Sequence, residues 1–297
     1  MASVVTDLII GILIEGLIYG LLALGIYISY RVLDFADLSV DGTFPLGAAV
    51  AARMIIGGTN PWITLPVSFA AGMLAGMLTG VLNEKLKIKD LLSGIIVMTM
   101  LYSVNYRIVG RPTENLINQQ TIFTSVSGIL PPALAPYAKL ITVAVIMLVV
   151  KLVLDLYLKT KSGFLLRSVG DNPALVVSLA KNPGTMKILG LALANGLVAL
   201  SGAVNLQSTF SFNVAGGTGK MVMGLAAVII GTTIFGRLRL MGVTTAVVIG
   251  MIIYKACISL ALMAGFEASD LNLIISVLFV ITLCINNFIL NRGDKNA

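Results

Sequence analysis

The sequence predicts an all-α, polytopic membrane helix bundle, and three observations carry that expectation. Of 297 residues, 58% are apolar and only 11% charged, with a mean hydropathy of +1.00; soluble chains carry about twice that share of charge. The apolar residues gather in runs close to the roughly 20 that a helix needs to cross hydrocarbon. The basic residues sort into alternate connections between those runs. So little charge cannot cover a water-soluble surface, which excludes a soluble enzyme, and the apolar content excludes a disordered chain.

Nine candidate spans follow in order, within an expected 8–10: 8–29, 43–57, 62–82, 91–106, 134–154, 188–206, 221–235, 240–263 and 271–290. The first opens on Met-Ala-Ser-Val-Val-Thr-Asp, which has no basic segment and no prompt small-residue cleavage motif. A retained span is expected there rather than a signal peptide. The second and seventh are short, about 15 residues each, and each follows a polar, turn-rich stretch, Arg31 to Gly42 and Gln207 to Gly219. Short segments interrupted at matching places are the pattern of broken transporter helices.

Lys85, Lys87, Lys89, Lys159, Lys161, Arg167, Lys181, Lys187, Arg237, Arg239, Arg292 and Lys295 fall in one set of connections, against Arg107 and Arg111 in the other. This bias puts the first set, and the C-terminus, in the cytoplasm, and nine crossings then put the N-terminus outside with Glu114 and Glu267. The net charge of +7 is read as this bias and not as a nucleic-acid footprint. An internal repeat accompanies it. Gly20-Leu-Leu-Ala-Leu-Gly25 resembles Gly196-Leu-Val-Ala-Leu-Ser-Gly202, Gly72-Met-Leu resembles Gly250-Met-Ile, and Asp90-Leu resembles Asp270-Leu, at offsets of 176, 178 and 180. The repeat halves, about 8–106 and 188–290, are separated by one further crossing and are therefore inverted.

The chemistry is narrowed by absences. There is no His, and Cys257 and Cys284 sit inside apolar runs, so no catalytic residue, no metal ligand set and no disulfide framework is expected. Gly216-Gly-Thr-Gly-Lys220 fails as a phosphate loop: position 214 is Val and 221 is Met where the motif needs Gly and Ser/Thr.

The informative connection is the cytoplasmic one, about 159–187. Lys151, Asp155 and Lys159 form a ladder that extends span five as a solvated helix. Two short helices follow, with Asn172 an N-cap, Pro173 the first helical residue, and Asn182-Pro183-Gly184 the expected stop. Phe164, Leu165, Leu175, Val176 and Leu179 are too apolar for a solvated linker. They suit a helix on the bilayer surface or a docking element for a cytoplasmic partner.

With Arg167-Ser-Val-Gly-Asp-Asn-Pro-Ala174, Asp37-Leu-Ser-Val-Asp-Gly42 and the Gly-rich run from Gly224 to Gly236, the chain resembles permease subunits of ABC importers of the branched-chain amino acid and ribose group. It is most similar there to the tryptophan/tyrosine type. The resemblance implies coupling helices formed by Phe164, Leu165, Arg167, Gly170, Asp171, Asn172, Pro173, Leu175 and Leu179. It implies a second copy of the chain, a separate ABC ATPase that binds ATP and Mg, and an extracytoplasmic solute-binding protein. This chain itself would hold no cofactor. Asp41, before Gly42, and the lack of a further N-terminal helix depart from the sugar-transporting members.

Charges within spans are costly, about 2.5–3.5 kcal/mol each at mid-membrane. Glu15 and Lys255 are therefore expected to face protein or water, as a structural ion pair or as part of the solute path. Asp34, Asp37 and Asp41, at spacings of 3 and 4, are expected on one helical face at a hydrogen-bonded break, and Asn213 is a further polar candidate for the path. The 13 Met residues are read as packing. Gly16/Gly20 and Gly72/Gly76/Gly80 permit close helix approach. The expected function is the multi-pass permease subunit of an importer for a hydrophobic or aromatic amino acid in the cytoplasmic membrane. A secondary transporter or channel would leave the 163–181 element without a purpose.

Overall fold

The computed structural model describes residues 2–128, 131, 134–179, 182–235 and 242–265, with positions 270, 273, 276, 277, 280, 281 and 284. Most of the expected span 271–290 lies outside the described residues, as do Lys181, Gly236, Arg237, Arg239, Glu267, Arg292 and Lys295. Among the described residues six helices are long and apolar enough to cross a membrane, so this is a polytopic all-α membrane protein.

Helix α1 (Ala2–Ile26) runs into a π-helical turn, Tyr27–Val32. Asp34 then takes a left-handed φ of 51° and the chain leaves the helix. Helix α2 (Val40–Ile56) follows, and α3 (Pro61–Glu84) starts on Pro61 with the Asn60 side chain accepting from Trp62 N–H at 3.0 Å. Helix α4 (Asp90–Val109) ends on Gly110, φ 86°. Strand β1 (Thr113–Asn115) precedes α5 (Ile122–Ser127) and α6 (Ala138–Lys159). Next come α7 (Lys161–Asp171), α8 (Pro173–Ser178) and α9 (Pro183–Thr209). Strand β2 (Ser211–Asn213) pairs antiparallel with β1, and α10 (Lys220–Phe235) and α11 (Val243–Met263) complete the described helices. The α7–α8 hairpin marks one end of the bundle and the β1–β2 pair the other.

Helix α9 is the most enclosed of the six long helices. The packing pairs come in matching sets: α3 on α9 and α11 on α1; α2 on α3 and α10 on α11; α2 on α9 and α10 on α1. Small residues make these approaches possible. A Cβ on Gly76 would overlap the Leu191 carbonyl, and one on Gly47 the Ala199 carbonyl. Helix α2, of 17 residues, reaches about 26 Å, short of the roughly 30 Å hydrocarbon core.

Three local expectations are corrected. Asn182-Pro183-Gly184 does not stop α8, which has already ended at Ser178; it starts α9, with Asn182 Oδ1 accepting from Gly184 N–H at 2.9 Å. Asn-Pro is start chemistry wherever it stands, and Asn172-Pro173 begins α8 the same way. Lys187 is consequently a helical residue, 3.5 Å from both Glu84 and Asp90, and it staples α9 to the ends of α3 and α4. Residues 34–38 are not helical, so Asp34, Asp37 and Asp41 share no helical face. The Lys151–Asp155 pair forms at 2.7 Å, but Asp155 also accepts from the Thr244 hydroxyl at 2.6 Å, so the ladder ties α6 to α11 instead of facing only solvent.

The glycine contacts lead to a signed prediction. In a helix Ala is intrinsically better than Gly by about 1 kcal/mol, yet Gly47→Ala should lower stability by about 1–3 kcal/mol because the new methyl has no room. Gly11, with nothing within 4 Å of its Cβ position, should accept Ala without loss. Thermal unfolding of both variants in detergent checks this; equal melting temperatures would contradict the packing.

Candidate functional site

The break between α1 and α2 faces the one between β2 and α10. Pro45 inside α2 has no N–H to return to the Asp41 carbonyl four residues earlier. Gly217 fills the space left there, where any Cβ would overlap that carbonyl. The Asp41 carboxylate accepts from Gly219 N–H at 2.9 Å and from Met221 N–H at 2.8 Å, and so caps α10 from another helix. Gly219, with φ 79°, turns the chain into α10. This is the use of the Gly216–Lys220 run.

The other two carboxylates go separate ways. Asp34 is exposed, while Asp37 is fully buried. Asp37 accepts from Ser39 N–H at 2.9 Å and from Asn195 Nδ2 at 2.7 Å, and Ser39 Oγ donates to Asn195 Oδ1 at 3.2 Å. A closed network thus joins the break to α9. Among the described residues no group of His, Cys, Asp or Glu is arranged to hold a metal ion. Asn213 lies in β2, outside the helices, and its side chain accepts from Ala215 N–H at 2.9 Å.

A second cluster lies where α1, α2, α10 and α11 meet. Lys255 Nζ is 2.9 Å from Glu15 Oε2; the Lys255 side chain is 11% exposed and that of Glu15 61%. Lys255 therefore faces protein, while the Glu15 carboxylate opens outward. Lys255 also stands 4.0 Å from the Tyr19 ring centroid. Lys220 donates to Tyr19 Oη at 3.2 Å and lies 4.6 Å from the Tyr19 centroid and 5.4 Å from that of Phe44. The two rings stack at 5.8 Å with 16° between their planes. Tyr19, Phe44 and Lys220 were not legible as site residues. The one signal was a lysine at the first position of a short apolar span.

The α7–α8 hairpin is anchored on one side and open on the other. Thr160 Oγ1 caps α7 by accepting from Gly163 N–H at 3.2 Å, and Asn172 Oδ1 caps α8 by accepting from Ala174 N–H at 3.1 Å. Leu166 and Val169 are buried, and Gly170 packs so closely on the π-helical end of α1 that a Cβ would overlap the Val32 carbonyl. Phe164, Leu175, Val177 and Leu179 are exposed, as are Arg167, Asp171 and Asn172, and Leu165 is half-buried. Phe164, Leu165 and Leu179 line, with Lys159, Thr160 and Lys161, a groove of about 390 Å³. At the strand end a cavity of about 600 Å³ is walled by Asn60, Trp62, Asn118, Gln119 and Gln120, among others.

Comparison with known proteins gives concordant matches. The family model described as branched-chain amino acid transport system / permease component matches residues 8–284. A tyrosine transport system permease protein of Clostridioides difficile is 37% identical over 97% of this chain and 95% of its own length. An uncharacterized protein of Rickettsia prowazekii is 34% identical over 93% of this chain and 97% of its own. A fructose import permease protein of Bifidobacterium longum is 25% identical over 88% of this chain and 74% of its own. No solved structure matches.

Asp41→Ala leaves the amides of Gly219 and Met221 without an acceptor at a point poor in water. It should destabilise the protein by about 2–3 kcal/mol, read as a lower melting temperature, whereas Asp34→Ala, at an exposed carboxylate, should change it little. A melting temperature unchanged by Asp41→Ala would show that the cap is dispensable.

Proposed function

The chain belongs to the permease family of branched-chain amino acid transport systems, and on that premise we propose that it is the transmembrane subunit of an ABC importer, carrying a hydrophobic or aromatic amino acid into the cell by ATP-driven alternating access. The observation that carries this reading is the α7–α8 hairpin. It presents exposed Phe164, Leu175, Val177 and Leu179 on one side, while its other side is keyed to α1 through Gly170 and Val32. A surface helix that only rested on lipid would not need the second feature. An ATPase seated on the groove beside Phe164 and Leu179 can push on the π-helical turn of α1, and through it on the break before α2. ATP and Mg belong to that ATPase, and this chain has no chemical step of its own.

The same reading assigns sides. The hairpin end, with its lysines, faces the cytoplasm together with the C-terminus, and the strand end faces outward in the cytoplasmic membrane. The amide-lined cavity at Asn60 and Gln119 is then available to an external solute-binding protein. The stretches 8–106 and 188–290 form inverted halves, a reading supported by the matched packing of α3 on α9 and of α11 on α1. Two copies of the chain enclose the path. An amino acid is favoured over a sugar because the relative 37% identical across nearly the whole chain is a tyrosine transport permease, while the fructose import permease is 25% identical.

Replacing Asn172 and Pro173 together by Gly removes the α8 cap and its fixed first φ, worth about 1 kcal/mol, which corresponds to about fivefold in docking affinity. Uptake and solute-stimulated ATP hydrolysis should fall together by about that factor while membrane insertion is unaffected. Unchanged uptake would contradict the docking role, and uptake driven by an ion gradient without any ATPase would make the protein a secondary transporter.

A cysteine introduced as Arg167→Cys should react with a membrane-impermeant maleimide in inverted vesicles and not in intact cells. Labelling from outside would reverse the topology.

A further inference from the structure

We propose that the cavity enclosed by α1, α6, α7 and α11 at the hairpin end is a binding site for a phosphate group, carried by a soluble anion or by the headgroup of an anionic lipid. A secondary transporter of this fold would carry the site as well as an importer subunit would.

The cavity measures about 320 Å³. Its walls are Tyr27 of the π-helical turn, Lys159 at the end of α6, Arg167 of α7, and Gly242, Val243 and Thr244 at the start of α11, together with Asp155 and Leu158. Asp155 is already engaged, by Lys151 at 2.7 Å and by the Thr244 hydroxyl at 2.6 Å. Its charge is met by Lys151. Lys159 and Arg167 form no ion pair among the described residues, and Asp171, one turn along α7 from Arg167, forms none either. The wall therefore carries a surplus of positive charge.

Two further features point to a ligand. Tyr27 is only 7% exposed, yet its hydroxyl has no hydrogen-bond partner among the described residues, where a buried phenol ordinarily finds one. The charged groups that act on it are Arg167, Arg31 and Asp155, so the hydroxyl belongs to the charged wall of the cavity. The start of α11 is also open. Gly242 stands at its N-cap with no side-chain cap, and its first turn holds no acidic residue. The first amides and the positive end of the helix dipole thus face the cavity, an arrangement that favours an anion. The donors come from α1, from the α6–α7 corner and from α11. A phosphate offers three acceptor oxygens to three such directions, whereas a planar carboxylate offers two. Bound there, it would tie the hairpin to α1 and α11.

The test uses the full-length permease alone in phosphatidylcholine nanodiscs, with radiolabelled inorganic phosphate as the probe at constant ionic strength. Wild-type protein should bind one phosphate per chain. Tyr27→Phe, which removes only the hydroxyl, should weaken binding about fivefold, and Lys159→Met about tenfold. Lys161→Met removes the same charge from the neighbouring groove and should leave binding unchanged. A second arm adds phosphatidylglycerol and counts the lipids retained by native mass spectrometry. Retention of phosphatidylglycerol that is lost in Tyr27→Phe and Lys159→Met identifies a lipid headgroup as the source. Phosphate binding that phosphatidylglycerol does not displace identifies a soluble anion. Wild-type protein that binds neither overturns the site, as does wild-type affinity in both variants. Equal losses in Lys159→Met and Lys161→Met would show general surface attraction and overturn it too. Should Tyr27→Phe fail to assemble, the contrast between Lys159→Met and Lys161→Met, both at exposed positions, decides.

Discussion

A helix that stops inside hydrocarbon leaves its last amides and carbonyls with no water to bond, and the bundle is organised around that constraint. Helix α10 begins at the second break, and the amides of Gly219 and Met221 at its start are met by Asp41 from the start of α2. Pro45 and Gly217 belong to the same solution, one freeing the Asp41 carbonyl and the other filling the space beside it. Asp41 and Gly219 are 178 residues apart in the chain, so each break is complete only when the other has been built. Asp41 is therefore the residue that closes the two breaks on each other.

From this crossing the polar interior extends in two directions. Towards the hairpin end, Asp37, Ser39 and Asn195 lock the first break to α9, and Lys187 holds the start of α9 to α3 and α4. Towards the strand end, Lys220 is placed over Tyr19 and Phe44 because α10 starts where Asp41 holds it. The same carboxylate thus sets the position of the cation in the aromatic cluster. The hairpin meets this system at Val32, the last residue of the π-helical turn before the break. A displacement of α7 has a short, packed route to it through Gly170.

Between helices the lipid provides little hydrophobic drive, so close packing and internal hydrogen bonds carry the association. That explains why the tightest crossings, α3 on α9 and α2 on α9, are built on Gly76 and Gly47 against backbone carbonyls. It also explains why the exposed faces of α4 and α6, with Leu91, Met100, Leu148, Val153 and Leu156, are apolar without being part of the core.

Class and the order of the described spans could be read from the residues alone. Hydrophobicity along a span and capping at its ends are local properties, and eight of the nine expected spans coincide with described helices, within a few residues at most ends. The hairpin was legible for the same reason, since Asn172-Pro173 starts a helix wherever it occurs. Asn182-Pro183 carries the same start chemistry, and it serves the following helix, not the preceding one. What the residues could not disclose was partnership. Asp41 looked like one of three carboxylates in a row, and its role depends on amides far along the chain. Lys220 looked like the end of a failed phosphate loop, and its role depends on two rings from α1 and α2. A charge in a membrane must be compensated, and the sequence says that much. Which group compensates it is decided by the packing that brings distant helices within hydrogen-bond reach.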